Sequence, residues 1–417
     1  MRISLGLSCS VLTLFWCTAS PQAQPSRFIE KPGVLEFSGM MIVKPHSFST
    51  LVQKTGNSAF ALMSQIASRM RILSNTLEYH DEVDEYIVAV PKGFDENTYS
   101  ERLMGTGYYE YVIPNWIVYP VTDPNDPLYP QQWQHVNIAS AKAWDIYTGT
   151  SNIICAFTDT GVDHLHPDLL TSLVPGYNSA SGQAESDGGD TSDINGHGTH
   201  VAGCAAAIGN NLIGVVGVGW NFKIMPIRVT NSPGGSASLD DLLEGARWAV
   251  DHGAKVISAS YSGVEYSTIQ TTGAYIRSKG GLYLYAAGNS STNLSWFDYP
   301  DVVVVGATDP NDNRAWFSSY GKAVDVFAPG TDIWSTYIGG GYAALSGTSM
   351  ATPIANGVFA IVWSFNPKLT SQQVELIVER SCDDLGAKGN DSTYGWGRVN
   401  SFKALKSARA GKLPGIP

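Results

Sequence analysis

Long apolar runs, clustered basic residues and paired cysteines are all scarce in this chain of 417 residues. After the N-terminus no segment holds eighteen apolar residues in a row, so we expect a soluble, monomeric mature protein without a membrane span. Lysine and arginine total 26 against 37 aspartates and glutamates, which gives a net charge of −11 without any Lys/Arg run. This charge balance argues against nucleic acid as a partner.

Five cysteines are too few, and too oddly distributed, for a disulfide framework. Cys9 and Cys17 lie in the N-terminal apolar segment, which leaves three, an odd number, in the rest of the chain. Cys155 and Cys204 are interpreted as small buried residues, and a bridge between these two is the alternative.

The N-terminus has the pattern of an export signal. Arg2 supplies the basic start, Leu5 to Cys17 form an apolar core, and Ala19 to Ala23 offer small residues for cleavage. We therefore predict a signal peptide over residues 1–23 and a secreted protein, extracellular or periplasmic. Lipidation of Cys17 is the alternative, which the large Phe15 and Trp16 beside it disfavour.

A small α+β domain is predicted over residues 24–121. Three segments have strand patterns and two have helical patterns. The strands are Phe37 to Lys44, Glu85 to Val90 and Tyr108 to Val118; the helices are the segment with Phe60, Met63, Ile66 and Met70, and the segment from the cap Asp95 to Leu103. The proline-rich stretch 120–130 predicts a domain boundary.

Apolar strands alternate with helices over residues 122–410, and residues 411–417 are predicted to be a tail. Four clear strands are Phe222 to Val229, Lys255 to Ser260, Gly281 to Ala286 and Asp301 to Gly306, with a helix from the cap Ser238 to His252 between the first two. This alternation predicts an α/β fold with a doubly wound, mostly parallel sheet and helices on both faces. Functional groups should gather at the carboxyl ends of its strands.

One serine stands where such chemistry is favoured. Ser349, in the segment 347–353 (GTSMATP), begins an apolar helical run. Free N–H groups and the positive end of the dipole at a helix N-terminus favour an anion forming beside it. Because a serine hydroxyl is a weak nucleophile without a base, a base, an orienting group and an oxyanion donor are needed.

Three further segments supply those groups. His197 lies in NGHGTHVAG, Asp159 closes an apolar strand in CAFTDTG, and Asn289 follows another strand in LYAAGN. Taken singly, each has a simpler interpretation: Ser349 as a helix cap, Asp159 as a turn residue, Asn289 as a glycosylation acceptor, and His197 with His200 as a metal pair. Together, the four segments have the order Asp, His, Ser with a separate Asn, and this joint pattern argues against four unrelated interpretations.

These four segments resemble the subtilisin-like serine proteases, the subtilase family, and its thermitase-like members in particular. The resemblance extends over about residues 120–408 and includes the closing segment 394–400 (YGWGRVN). It implies a secreted serine endopeptidase in which Ser349 is the nucleophile, His197 the base, Asp159 its orienter and Asn289 an oxyanion donor. It also implies that residues 24–121 are a propeptide, which inhibits the enzyme until self-processing removes it.

The resemblance also implies where a polypeptide substrate binds. The substrate would add a strand beside Ser260, Tyr261 and Ser262, and Ala287 with Gly288 would form the other wall of the primary specificity pocket. Ser262 stands where the family usually has glycine, which would narrow the groove. We expect a large apolar or aromatic residue before the cleaved bond.

A structural calcium ion, and no organic cofactor, is implied as well. By resemblance its ligands are the Asp126 and Asp168 carboxylates, the Asn211 side chain and the carbonyls of Ile208, Ile213 and Val215. A polar turn is the alternative. A second acidic loop holds Asp187, Asp190 and Asp193 and is either another calcium site or a solvated turn. The glycines of 214–219 lack the spacing of a nucleotide-binding loop.

Two other functional classes remain open. One is a catalytically inactive relative that serves as a binding scaffold. The other is a zinc hydrolase built on His197 and His200, which the absence of a glutamate between them disfavours.

Overall fold

The structure, a computed structural model, describes residues 27–29, 36–117 and 123–410. Its chain contacts divide it into two compact units, Met1–Val118 and Tyr119–Pro417. The predicted signal peptide, the predicted tail and residues 118–122 at the start of the predicted linker lie outside the described residues.

The first unit is a small antiparallel sheet with helices. Its elements are β1 (Glu36–Pro45), α1 (Phe48–Thr55), α2 (Ser58–Leu73), β2 (Thr76–His80), β3 (Glu85–Ala89), α3 (Glu96–Met104) and β4 (Tyr109–Ile117). The strands pair in the order β2-β3-β1-β4, and Asp95 caps α3 through a capping box with Thr98. The predicted α+β fold of this unit is confirmed; α1 and β2 were not predicted.

Helix α2 has the predicted position but buries the opposite face. The apolar residues that suggested it, Phe60, Met63, Ile66 and Met70, are 51–70% exposed. Small residues are buried instead, namely Ala61, Ser64 and Ser68 with Ile72. Helical spacing therefore located the helix correctly, and its largest apolar residues lie on the exposed face.

The second unit alternates strands and helices. Its elements are α4 (Gln134–Asn137), α5 (Ser140–Ile146), β5 (Ile154–Asp159), β6 (Tyr177–Asn178), β7 (Gln183–Ala184), α6 (His197–Ala206), β8 (Lys223–Arg228), α7 (Leu239–Asp251), β9 (Val256–Ala259), α8 (Ser267–Ser278), β10 (Leu282–Ala286), β11 (Val303–Thr308), β12 (Val326–Pro329), β13 (Ile333–Tyr337), β14 (Gly341–Leu345), α9 (Thr348–Phe365), α10 (Ser371–Arg380) and α11 (Ser401–Ala410). Single 3₁₀ turns lie at Tyr129–Gln131 and Glu185–Asp187.

Eight strands form the main sheet, in the order β12-β11-β10-β9-β5-β8-β6-β7. All neighbours are parallel except the short β6–β7 pair. Each central strand buries both faces, so successive residues such as Leu284 and Tyr285 enter two different cores. The predicted doubly wound α/β fold is thus confirmed, and the strands begin or end within about two residues of the predicted limits.

The core on one face of the sheet is built around α9, whose residues Met350 to Ser364 are all buried. The core on the other face receives apolar residues of α7 and α8, including Leu242 and Ile276. A separate antiparallel hairpin, β13–β14, precedes α9. None of the helices in the described residues has the length and hydropathy that a membrane crossing requires.

Candidate active site

The four residues singled out for chemistry lie at the ends of elements of the second unit. Asp159 is the last residue of β5, and Asn289 follows β10 by three residues. His197 is the first residue of α6, and Ser349 is the second residue of α9. Strand ends at one edge of a parallel sheet and helix N-termini therefore supply all four side chains.

Asp159 and His197 form the closest contact of this group. The Nδ1 atom of His197 lies 2.7 Å from Oδ1 of Asp159. The carboxylate is 1% exposed and the imidazole side chain 28% exposed. Because a carboxylate only accepts hydrogen bonds, Nδ1 carries the proton and Nε2 of the neutral ring is free to act as an acceptor.

The electrostatic surroundings favour the protonated form of His197. Burial, the largest single influence, would by itself lower the pKa of this imidazole, but the charge and hydrogen bond of Asp159 act against it. The charge of Asp193 adds a smaller contribution in the same direction, so the pKa of His197 is raised above its usual value.

Asp193, which the sequence suggested only as a calcium ligand or a solvated turn residue, instead holds the start of α6. Its Oδ1 accepts hydrogen bonds from the Thr160 hydroxyl and from the N–H groups of Asn195 and Gly196. Its Oδ2 accepts from the N–H and hydroxyl of Thr199. Since Thr160 follows Asp159 directly, one buried carboxylate joins the end of β5 to the N-terminus of α6.

Two glycines permit this close approach. A Cβ on Gly198 would lie 2.1 Å from the carbonyl oxygen of Gly161, and a Cβ on Gly161 would lie 2.5 Å from the carbonyl oxygen of Ser192. Gly161 also has φ of +104°, which side chains disfavour. The glycine after His197 is therefore needed to bring the helix start against the strand end.

Ser349 lies against the end of β9. Its Oγ donates to the Ser260 carbonyl at 3.3 Å, while the Ser260 hydroxyl donates to the Ser349 carbonyl at 2.9 Å. Within the described residues no hydrogen bond joins Ser349 Oγ to His197. Its backbone N–H belongs to the first turn of α9, whose N–H groups have no partner inside the helix.

Asn289 is held by the residue before the serine. Its Oδ1 accepts hydrogen bonds from the N–H and the hydroxyl of Thr348, both at 2.9 Å. With the oxygen occupied in this way, the Nδ2 group is left as a donor beside the first turn of α9.

The residues predicted to bind substrate follow the ends of two neighbouring strands. Ser260, Tyr261 and Ser262 follow β9, and Ala287 and Gly288 follow the neighbouring β10. Hydrogen bonds from the Tyr261 hydroxyl to Gly235 O and from the Tyr285 hydroxyl to Ser262 O anchor this edge. A pocket of about 210 Å³ opens next to it, lined by Tyr261, Ser262, Leu239, Leu242 and Tyr266 among others.

The predicted calcium region brings two buried carboxylates together. Asp126 is 2% exposed and Asp168 is fully buried. Asp126 Oδ2 accepts from the N–H of Asn210, whereas its Oδ1 is buried without a hydrogen-bond partner among the described atoms. Burial raises the pKa of both carboxyls, that of Asp168 to about 6, and the charge of Asp126 contributes to the latter shift.

The loop 208–215 surrounds these carboxylates. Asp168 accepts hydrogen bonds from Asn211 Nδ2 at 2.7 Å and from the Val215 N–H at 3.0 Å, and its carbonyl accepts from the Ile208 N–H. The Asn211 oxygen accepts from the Ile213 N–H, so the amide would have to turn to become a ligand. Within the described residues, no group of three or more His, Cys, Asp or Glu side chains is placed to bind a metal ion. An ion at this site would therefore also need amide and carbonyl oxygens.

The contacts of the second acidic loop, of His200 and of the cysteines do not support the alternative interpretations of these features. Asp190 pairs with Arg228, and Asp187 lies on an exposed turn. His200 Nε2 faces the carbonyls of Ile333 and Ala343. The cysteines outside the N-terminal segment are three buried free thiols, so the Cys155–Cys204 bridge is not formed.

Comparison with known proteins agrees with this geometry. Residues 150–397 match the subtilase family. The chain is 38% identical over 300 residues to a thermophilic serine proteinase of Bacillus sp. strain AK1, covering 71% of this chain and 72% of that protein. It is 39% identical over 289 residues to thermitase of Thermoactinomyces vulgaris, covering 68% of this chain and 99% of thermitase.

A solved protease structure from Pseudoalteromonas arctica is also similar. It superposes with a TM-score of 0.59 at 31% identity, covering 69% of this chain and all of that structure. The chain therefore belongs to the subtilase family of serine endopeptidases.

Asp193 provides a test of the electrostatics around His197. In Asp193→Asn we expect a lower pKa of His197 than in the parent, because one of the negative charges that favour the imidazolium is lost. NMR titration of the His197 ring in a Ser349→Ala background, which avoids self-digestion, measures this shift. Asp187→Asn, which removes an exposed charge of the same loop, should leave the titration unchanged; an unchanged pKa in Asp193→Asn itself would refute the assignment.

Proposed function

We propose that this chain is a secreted, self-processing serine endopeptidase with Asp159, His197 and Ser349 as its catalytic triad. The main support is the 2.7 Å contact between His197 Nδ1 and Asp159, with Ser349 in the first turn of a buried helix. The contact fixes the tautomer that leaves Nε2 as a base.

In the proposed reaction Ser349 Oγ leaves the Ser260 carbonyl, transfers its proton to His197 Nε2 and attacks the substrate carbonyl. His197 then protonates the leaving amine, and Asp159 stabilises the imidazolium without taking up the proton. The bond broken is the peptide C–N bond and the bond formed is an ester to Ser349. Water hydrolyses that acyl-enzyme with His197 acting again as the base.

The oxyanion of the tetrahedral intermediate would be bound by Asn289 Nδ2 and the Ser349 N–H. The hydrogen bonds from Thr348 to Asn289 Oδ1 support this role, since they orient the amide before substrate arrives. Donors fixed in advance stabilise developing charge without the cost of reorganising solvent.

The substrate would add a strand along Ser260, Tyr261 and Ser262, with Ala287 and Gly288 forming the far wall of the primary pocket. Backbone pairing of this kind tolerates many side chains. We propose a large apolar or aromatic residue before the cleaved bond, because tyrosine rings and small residues dominate this edge.

The first unit and the N-terminal segment fit a secreted precursor. The segment before residue 24 has the signal pattern, and a compact unit ends at Val118, close to the predicted domain boundary at 120–130. We propose that residues 24–121 are a propeptide that inhibits the protease in the precursor and that the enzyme cleaves off itself.

The buried carboxylates Asp126 and Asp168 fit a bound calcium ion. Neither is in an ion pair with a described residue, and Asp126 Oδ1 has no protein donor. We propose that both carboxylates, the Asn211 amide oxygen and carbonyls of Ile208, Ile213 and Val215 hold the ion. When bound it would supply positive charge that offsets two buried carboxylates and ties residue 126 to the loop.

Ser349→Ala tests the nucleophile. We expect turnover to fall about 10⁶-fold, because triad residues act as a unit, and the precursor to stay unprocessed. The measurements are peptide hydrolysis, labelling by a serine-directed fluorophosphonate, and the mass of the secreted protein. Ser278→Ala, on an exposed helix end, is the matched control. If the parent protein itself neither labels nor hydrolyses peptides, it is an inactive binding scaffold and the proposal fails.

Asn289→Leu tests the oxyanion donor. Loss of one donor to the developing charge should lower kcat by about 10²–10³-fold with little change in KM. Steady-state kinetics on a peptide anilide separates the two constants. A raised KM with unchanged kcat would make Asn289 a residue for ground-state substrate binding instead.

Calcium removal tests the ion site. An ion bound only to the native state at about a hundredfold excess over Kd adds roughly 2.7 kcal/mol of stability. We therefore expect EDTA to lower the inactivation temperature and hasten self-digestion, with little change in initial activity. Asp168→Asn should shift the calcium midpoint upward, and Asp240→Asn, an exposed control, should not. Thermal inactivation that is independent of calcium would contradict the site.

A further inference from the structure

Asn289 lines a second cavity, which is larger than the pocket beside Tyr261. It has a volume of about 630 Å³ and is lined by Asn289, Asp309, Trp316, Phe317, Asp332 and Ser346 among others. None of the predicted substrate-binding residues Ser260–Ser262 lines it, and it shares no residue with the pocket beside Tyr261.

Its position relative to the proposed chemistry identifies which part of a substrate can reach it. The acyl part of the substrate follows the edge at Ser260–Ser262, and the carbonyl oxygen points to Asn289. The leaving part then continues away from that edge. Because the second cavity contains Asn289 and none of the residues of the acyl edge, it would face the residues that follow the cleaved bond; this step rests on the proposed protease function.

The walls of this cavity combine an exposed indole with two carboxylates. Trp316 is 84% exposed although it stands beside Phe317, which is 7% exposed, with the two rings 5.5 Å apart edge to face. Asp309 and Asp332 contribute the carboxylates. A large exposed apolar ring in a cleft next to reacting groups is typical of a ligand-contacting surface.

The carboxylates have no cationic partner in the part of the chain that the structure describes. Asp309 accepts hydrogen bonds from the amide groups of Asn311 and Asn313, and Asp332 accepts only a long one, 3.4 Å, from Ser346. Arg314, the basic residue nearest in sequence to Asp309, is directed to Ser291 and Ser318 and stacks over Tyr320, 4.5 Å from the ring centroid. The cavity thus keeps an uncompensated negative charge.

We propose that this cavity selects a lysine or arginine among the first two residues after the cleaved bond. The aliphatic stem would lie on the Trp316 indole, which also attracts a cation, and the charged head would reach Asp332, with Asp309 behind it. Trp316 and Asp332 are then specificity-determining residues of the leaving-group side.

The test uses internally quenched peptides that differ only at the first or second position after the cleaved bond, with Arg, Lys, norleucine, Phe or Glu there. Mass spectrometry verifies that every peptide is cut at the same bond. We expect kcat/KM for Arg or Lys to exceed that for norleucine by about three- to tenfold, from one exposed cation–π contact and one exposed ion pair. The preference should shrink in 0.5 M salt, which screens exposed charges.

Variants assign the preference to the cavity. Asp332→Asn should bring the Arg and Lys peptides close to norleucine, and Trp316→Ala should lower the rates of the Arg and Lys peptides. Asp187→Asn, which removes an exposed charge outside the cavity, should keep the preference. Each rate is divided by that of the same variant on a peptide anilide, which has no residue on the leaving side, so that losses in folding or chemistry cancel.

Three results would each overturn this inference. The first is equal rates for Arg and norleucine at both positions, and the second is a preference for Phe. The third is a preference for basic residues that persists when Asp332→Asn is combined with Asp309→Asn. Those results, obtained with normal anilide hydrolysis, leave the proposed protease function intact. Absence of both anilide hydrolysis and fluorophosphonate labelling would instead overturn the proposed function.

Discussion

One buried carboxylate, that of Asp193, joins the two elements whose contact defines the candidate site. Its hydrogen bonds from Thr160, which follows β5, and from Thr199, in the first turn of α6, hold the start of α6 against the end of β5. Five hydrogen bonds to one carboxylate hold the 2.7 Å geometry between His197 and Asp159 in advance of substrate. Because the same carboxylate raises the pKa of His197, position and basicity are set together.

The hairpin β13–β14 connects that helix to the serine. His200, one turn after His197, faces carbonyls on both strands, and the Ser335 hydroxyl donates to the His200 carbonyl. The second strand then leads directly to Ser349. On the same strand the Tyr342 hydroxyl donates to Asp168, a proposed calcium ligand. His197, Ser349 and the proposed ion site thus share one two-stranded support, although they lie far apart in sequence.

Sequence reasoning identified the features that depend on local residue patterns. Central strands were predicted because they are buried on both faces and consist of nearly continuous apolar residues. The Asp, His, Asn and Ser segments were singled out because the proposed chemistry needs particular residue types. The role of Asp193 was missed, since an aspartate in a polar Gly/Ser/Asp loop has the composition of a solvated turn. In α2 the buried face consists of Ala61, Ser64 and Ser68, because small residues can form the packed side while larger ones stay exposed.

The two proposed binding regions differ in the kind of recognition they would offer. Along Ser260–Ser262 the proposed substrate would pair with a strand edge, where backbone pairing recognises an extended polypeptide with little regard to sequence. The residues that line the second cavity lie outside the strands of the main sheet, and side chains such as Trp316 and Asp332 form its walls. Recognition there must depend on the shape and charge of individual side chains. Since Trp316 and Asp332 lie outside the sheet strands and outside the His197–Asp159 contact, the proposed selectivity on the leaving side could change independently of the chemistry.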